Sequence, residues 1–367
     1  MNNNYLASEV NTSQGNYRVI VGRDILKELG NELDYAGLGG KKCFLISDKS
    51  MFPKNTKILH ESLESQGFIT NSLSIDFSET LKNYNTVSKL YNWLADMKVE
   101  RKDFIISFGG GVAGDIVGFV ASTYLRGIPF IQIPTTLAAM TDASIGGKVA
   151  YNLDHGKNLV GAFYQPKLVF EELSFLDTLP EREKISGWAE AIKHSIILDK
   201  NLFNEFKLNR KKIYDLDNDF SAEILKRSVK IKADIVSKDE FETGEDRIKL
   251  NYGHTVGHAI EKVSNYNSFL HGEAVSIGMM VAIKISEKIG MINQSSVIEQ
   301  KNILEDYNLP TSAENIDKQK IFEAIKMDKK NVDGKVKWIL LDALGKSKIV
   351  RGVDDKIVNE AINEVIF

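Results

Sequence analysis

His254 and His258 stand four residues apart in Asn251-Tyr252-Gly253-His254-Thr255-Val256-Gly257-His258-Ala259-Ile260-Glu261, and His271 follows in Leu270-His271-Gly272-Glu273. On a helix, positions i and i+4 share a face. Two imidazoles on one face can reach a single metal ion, and a third ligand from elsewhere would complete a catalytic site with one position open. The acidic candidate is Glu190, in Ser186-Gly187-Trp188-Ala189-Glu190-Ala191-Ile192-Lys193-His194. The pattern points to a divalent metal, zinc first; the alternative is two helix-face histidines with no metal. A metalloprotease of the usual kind is excluded, because its motif needs Glu directly after the first His as general base and Thr255 stands there.

A second constellation suits an anion. The apolar run Asp103-Phe104-Ile105-Ile106-Ser107-Phe108 leads straight into Gly109-Gly110-Gly111-Val112-Ala113-Gly114-Asp115. Glycines let the backbone approach a ligand closely, and a helix N-terminus beyond them offers free N–H groups to a phosphate. Gly109, Gly111 and Gly114 satisfy G-x-G-x-x-G, but the ribose-binding acid expected about 20 residues later is missing, the next acid being Asp142. The spacing favours pyrophosphate binding over an ordinary dinucleotide domain. Asp48, ending the run Lys42 to Asp48, either receives ribose hydroxyls or is a plain loop aspartate. Thr135 and Thr136, after Phe130 to Pro134, either touch a cofactor or cap the next helix. Lys148 and Lys157 each lie beside glycine in what reads as a polar loop, where lysine serves as a point charge for phosphate. Lys232 and Arg247 flank the metal stretch and, taken alone, read as surface charges.

These groups need a scaffold. Tyr17 to Gly22 alternates like a strand, and Lys42 to Asp48 reads as a buried parallel strand. Helical patterns cover roughly Lys57 to Gln66, Asn85 to Met97 and Ile116 to Leu125. After Leu179-Pro180 the pattern turns helical, with apolar spacing over Val229 to Val236, His254 to Lys262 and Glu273 to Ile289. A basic loop over Met327 to Val336, a hairpin at Trp338 to Leu341 and an amphipathic tail close the chain. The expectation is an α/β protein, with residues 1–179 and 180–367 as its domains.

Composition sets the outer limits. The chain has 367 residues, 43% hydrophobic and 26% charged, enough for two globular domains. A net charge of −3 gives no pull toward nucleic acid. The single cysteine, Cys43, cannot form an internal disulfide. The polar start lacks a signal-peptide pattern and no apolar run reaches the length of a membrane span, so the expectation is a cytoplasmic protein with no membrane and no nucleic-acid partner.

Motifs in order carry a resemblance. Gly109-Gly110-Gly111-Val112, Gly114-Asp115, Thr123-Tyr124-Leu125-Arg126-Gly127, Pro134-Thr135-Thr136-Leu137 and Gly161-Ala162-Phe163-Tyr164-Gln165-Pro166 are followed by Ala189-Glu190, Lys193, Leu250-Asn251, Gly253-His254-Thr255, Gly257-His258-Ala259 and Leu270-His271-Gly272-Glu273. Over almost its whole length the chain resembles the 3-dehydroquinate synthase family, of the sugar phosphate cyclase superfamily. The resemblance implies an N-terminal Rossmann-like domain for NAD and a C-terminal all-α domain holding zinc (or cobalt), with a sugar phosphate substrate in the cleft. It implies Glu190, His254 and His271 as metal ligands, leaving His258 to the substrate. Asp48, Glu79, Lys82, Gly110, Gly111, Val112, Asp115, Thr135, Thr136, Asp142, Lys148, Lys157, Phe175 and Thr178 fall on cofactor positions. Lys148, Asn158, Lys193, Lys232, Arg247, Asn251, His258 and Lys329 fall on substrate and catalytic positions. Arg126 matches an arginine that reaches a partner's site, which implies a homodimer. Ser78 departs from the family by standing where a glycine usually precedes the glutamate.

The reaction implied is conversion of 3-deoxy-D-arabino-heptulosonate 7-phosphate to 3-dehydroquinate and phosphate, with NAD transiently reduced and then restored. A sister cyclase or a metal-dependent alcohol dehydrogenase of the glycerol dehydrogenase kind would share the architecture.

Overall fold

The computed structural model describes residues 5–40, 42–49, 53–216, 218–264, 268–329 and 336–367. The chain forms two compact units, Met1–Leu179 with Lys232–Phe241, and Pro180–Ile231 with Glu242–Phe367.

The first unit is built on nine strands, β1 (Leu6–Thr12), β2 (Gly15–Gly22), β3 (Lys42–Asp48), β4 (Ile69–Ile75), β5 (Phe104–Gly109), β6 (Phe130–Pro134), β7 (Lys148–Leu153), β8 (Gly156–Phe163) and β9 (Leu168–Glu172). Its helices are α1 (Leu29–Tyr35), α2 (Pro53–Ser65), α3 (Tyr84–Asp96) and α4 (Gly111–Thr123). Seven strands form one sheet in the order β1-β2-β9-β6-β5-β3-β4. All neighbours run parallel except β1 and β2.

Parallel strands covered on both faces must be apolar on both. In β3, Cys43 and Leu45 join one core cluster with Phe104, Ile106 and Phe108, while Phe44 and Ile46 join the opposite one with Ile105, Ile116 and Val117. Cys43 is fully buried, and burial pushes its thiol pKa well up. The alternation expected of Tyr17 to Gly22 is not observed. All six residues are buried, because both faces of β2 are covered: Ile20 joins one core cluster with Leu29 and Leu33 of α1, and Val19 and Val21 on the other face have no exposed surface.

From β3 the chain crosses outward to β4, then returns to the other side of β3 as β5. This reversal leaves a crevice beyond the carboxyl ends of β3 and β5, where open α/β sheets bind ligands. Asp48 and Gly109 occupy those two ends.

The second unit is mostly helical. It contains α5 (Glu181–Leu198), α6 (Lys200–Leu208), α7 (Arg210–Tyr214), α9 (His254–Val263), α10 (His271–Lys288), α11 (Gln294–Asp306), α12 (Lys318–Lys329) and α13 (Asp355–Val365). The intervening α8 (Asn218–Lys238) contributes its last residues, from Lys232, to the first unit. The expected hairpin is present as β10 (Lys337–Ala343) and β11 (Lys346–Arg351). Among the described residues, no helix is long and apolar enough to cross a membrane.

Three glycines let α5, α9 and α10 approach one another. A Cβ on Gly272 would stand 1.9 Å from the Ser186 carbonyl oxygen, and one on Gly278 would stand 2.0 Å from that of Gly253. Gly253 itself takes a left-handed φ of 80° as the residue just before α9, a conformation costly for any residue with a Cβ.

Candidate functional site

In the second unit, this packing brings three side chains from three helices together. Glu190 comes from the buried face of α5, and His254 and His271 are the first residues of α9 and α10. Glu190 Oε1 lies 3.5 Å from His254 Nε2 and 3.4 Å from His271 Nε2. Donors about 2.0–2.1 Å from a tetrahedral zinc ion stand about 3.3–3.4 Å from one another. The oxygen is buried and takes no hydrogen bond of good geometry beyond these imidazole contacts, a position that suits a metal ligand. One carboxylate and two imidazoles, with ligand atoms all within 4.8 Å of one another, fit a divalent cation of the zinc type.

The surroundings set the charge state. Burial alone would raise the Glu190 carboxyl, but Lys193, His254 and His271 hold it well below the usual range. Lys193 contacts Glu190 Oε2, and both side chains are buried. Burial and the positive charge of Lys193 hold His254 well below an ordinary imidazole. Burial pulls His271 the same way, yet its contacts with Glu190 and Glu261 more than offset this and raise it to about 10. His258, one turn into α9, is exposed, its ring centre 5.3 Å from that of His254. It falls outside the Glu190 group and into another made with Glu261 and His271. Arg247 is buried in the turn before α9, and Asn251 Nδ2 donates to Glu242 Oε1 at 3.1 Å. The side chain of Lys329 lies outside the described residues, as does Lys330.

In the first unit, the glycine run opens α4. The helix starts at Gly111, earlier than the expected Ile116, and ends at Thr123. Gly110 precedes it with no side-chain cap, so the first N–H groups remain for an anion. A Cβ on Gly109 would meet Ala113 Cβ at 2.7 Å, and one on Gly114 would meet Gln132 Oε1 at 2.6 Å. Thr136 Oγ1 accepts the Ala139 N–H at 3.3 Å and so caps the following turn, whereas Thr135 Oγ1 is buried with no partner.

Beside this lies a polar network. Lys82 Nζ contacts Asp115 and donates to Asn158 Oδ1 at 2.5 Å. Lys157 Nζ is 3.3 Å from Glu79 Oε1, which also accepts from Asn152 Nδ2 at 2.7 Å. Asn152 Oδ1 accepts the Asn158 N–H at 2.9 Å, and the Asn152 N–H donates to the Lys82 carbonyl at 2.7 Å. Burial raises the Asp115 carboxyl although Lys82 opposes it. Lys232 Nζ lies 2.5 Å from Asp142 Oδ1, within a short π-helix (Ala139–Ala143).

Two expectations need correcting, the loop placement of Lys148 and Lys157 and the surface placement of Lys232 and Arg247. Lys148 and Lys157 do not sit in polar loops but on β7 and β8, a two-stranded hairpin. Lys232 and Arg247 are buried rather than surface charges. Phe175 packs edge-on against Phe108 at 5.0 Å in the core, and Thr178 Oγ1 donates to its carbonyl at 3.3 Å; neither joins the network. Ser78 keeps an extended backbone and accepts the Leu81 N–H, fixing the turn that carries Glu79. Arg126 is exposed, in a turn where Leu125 and Arg126 both have positive φ. Two residues escaped the sequence reading. Asn152 is a hub of the polar network, and Glu261, the last residue of the quoted histidine stretch, contacts His271.

Residues 72–186 match the model of the 3-dehydroquinate synthase N-terminal domain, and residues 187–331 match that of the C-terminal domain. A 3-dehydroquinate synthase from Thermodesulfovibrio yellowstonii is 40% identical over 356 residues, 97% of this chain and 99% of the relative. The chain belongs to the 3-dehydroquinate synthase family. Among solved structures, 2-deoxy-scyllo-inosose synthase complexed with carbaglucose-6-phosphate, NAD+ and Co2+ has a TM-score of 0.85 at 24% identity, covering 98% of this chain and 99% of that one. ValA, the 2-epi-5-epi-valiolone synthase from Streptomyces hygroscopicus subsp. jinggangensis 5008, has NAD+ and Zn2+ bound. It gives a TM-score of 0.86 at 24% identity over 95% of this chain and 96% of its own. The chain thus shares its fold with these two synthases.

Proposed function

We propose that the chain converts 3-deoxy-D-arabino-heptulosonate 7-phosphate to 3-dehydroquinate and phosphate, as an NAD- and divalent-metal-dependent carbon–oxygen lyase of the shikimate route to aromatic amino acids. The observation that carries this reading is the approach of Glu190, His254 and His271 to within ligand spacing, in a chain of this family.

Zinc held by those three residues would act as a Lewis acid on a substrate hydroxyl, and NAD would take up a hydride and later return it. The remaining work falls to side chains. Lys193, Lys232 and Arg247, all buried, orient ring oxygens and the substrate carboxylate, since cations shielded from water act strongly on nearby charge. Lys148, Asn158, Asn251 and Lys329 hold the phosphate, and His258 faces the substrate. A ketone in the substrate would acidify the neighbouring C–H, and the departing phosphate would carry that proton away on its own oxygen; ring opening and an intramolecular aldol step would then close the carbocycle. In the first unit, the open N–H groups of α4 take the pyrophosphate of NAD, with Asp48, Glu79, Lys82, Asp115 and Thr135 around it. The working form is a cytoplasmic homodimer to which Arg126 contributes across the interface.

The test is phosphate release from the heptulosonate phosphate by purified protein, with and without chelator and NAD. The expected result is release that needs both, with no accumulation of NADH and with 3-dehydroquinate as product. Release at full rate from metal-free protein would sink the reading. Net NADH formation would point to a dehydrogenase instead.

A further inference from the structure

Glu261 has no part in the chemistry above, yet its position is specific. It lies on α9 seven residues after His254, and therefore on the same helix face. It is 8% exposed, and its Oε1 lies 3.5 Å from His271 Nδ1. The opposite nitrogen of that ring, Nε2, lies 3.4 Å from Glu190 Oε1. The His271 imidazole is thus placed between two carboxylates, one for each nitrogen.

We propose that Glu261 is the positioning residue that fixes the tautomer and ring orientation of His271 for metal binding. A neutral imidazole carries one proton. A carboxylate at Nδ1 keeps that proton there and leaves the Nε2 lone pair facing the metal position. His254 is held the same way by a different group, its Nδ1 lying 3.2 Å from the Tyr252 carbonyl oxygen. A carbonyl can only accept, so there too the proton is on Nδ1 and Nε2 is free to bind a metal. The carboxylate is the stronger acceptor and makes its imidazole the more basic ligand. The inference rests on the metal reading above and adds to it a fourth residue that does not touch the ion.

The test is zinc affinity of the full chain, measured by competition with a chromophoric chelator. Glu261→Ala is expected to bind zinc about 10–100-fold more weakly. Glu261→Asp, which keeps a carboxylate, is expected to recover part of the loss. With ring-15N-labelled histidine, the zinc-loaded parent should show the His271 proton on Nδ1, and E261A should lose that signal to exchange. Should E261A not fold, Glu261→Gln keeps the shape and removes the charge, and its affinity should fall by about tenfold. Affinity equal to the parent in these variants overturns the inference. So does a parent that binds two zinc ions where E261A binds one, because Glu261 would then be a ligand, with His258 and His271, of a second ion. His254→Ala reports separately on the metal site: retention of zinc there refutes the ligand set itself.

Discussion

Glu190 divides its two oxygens between two tasks, Oε2 toward the Lys193 ammonium and Oε1 toward the two imidazoles. Glu190 and Lys193 are each 1% exposed, one helical turn apart on α5. Removing one partner of such a pair leaves an uncompensated buried charge, which costs about 3–5 kcal/mol. Glu190→Ala should therefore both abolish zinc binding and lower stability by about that amount. The double variant with Lys193→Met should regain most of the stability and none of the zinc. Chemical denaturation of the metal-free variants checks the first part, and metal analysis the second.

Zinc binding should release protons. In the metal-free protein His254 is held neutral, Glu190 is held ionised, and His271 is raised to about 10. At pH 8 His271 must lose its proton before it can bind a metal. Calorimetry in buffers of different ionisation enthalpy should find about one proton released per zinc. Apparent affinity should rise about tenfold per pH unit, corrected for buffer competition, and level off above the His271 value. The sign follows from competition: acid favours the protonated imidazole, so binding weakens as pH falls. Binding independent of pH between 6 and about 9 would contradict this picture.

Gly278→Ala should loosen the same centre from a distance. Its Cβ would meet the Gly253 carbonyl oxygen at 2.0 Å and the Gly257 nitrogen at 2.9 Å, both backbone atoms with no rotamer to escape into. Overpacking of this kind costs about 1–3 kcal/mol and can move helices apart. A lower melting temperature together with weaker zinc binding is the expected outcome, read by calorimetry and chelator competition.

Asn152→Ala addresses the other unit. The Asn152 side chain ties Glu79 to the Asn158 N–H, while its backbone bond to the Lys82 carbonyl would survive the substitution. Losing a hydrogen bond to a charged group costs about 1.5–3 kcal/mol. The dissociation constant for NAD should rise by roughly tenfold or more, which fluorescence titration would measure, with zinc affinity unchanged.

Part of this was legible in the sequence: helix periodicity placed His254 and His258 on one helix, and the strand–glycine–helix run is present as β5 followed by α4. Spacing alone could not choose between His254 and His258, since both fit a metal. What separates them is tertiary: His254 opens α9 with its Nδ1 against the Tyr252 carbonyl, while His258 sits exposed one turn on. Lys148 and Lys157 read as loop residues because glycines surround them, and only strand pairing reveals the hairpin. The burial of Lys232 and Arg247 was hidden because charge argues for the surface until a partner is seen, such as Asp142 beside Lys232. Glu261 was passed over because nothing local distinguishes it from an ordinary helix carboxylate.

The lone thiol has a practical consequence. Cys43 is sealed inside β3 with no exposed surface and a suppressed tendency to ionise, so alkylating reagents find nothing to attack while the sheet is intact. Its rate of labelling therefore works as an internal clock for the opening of the central strands.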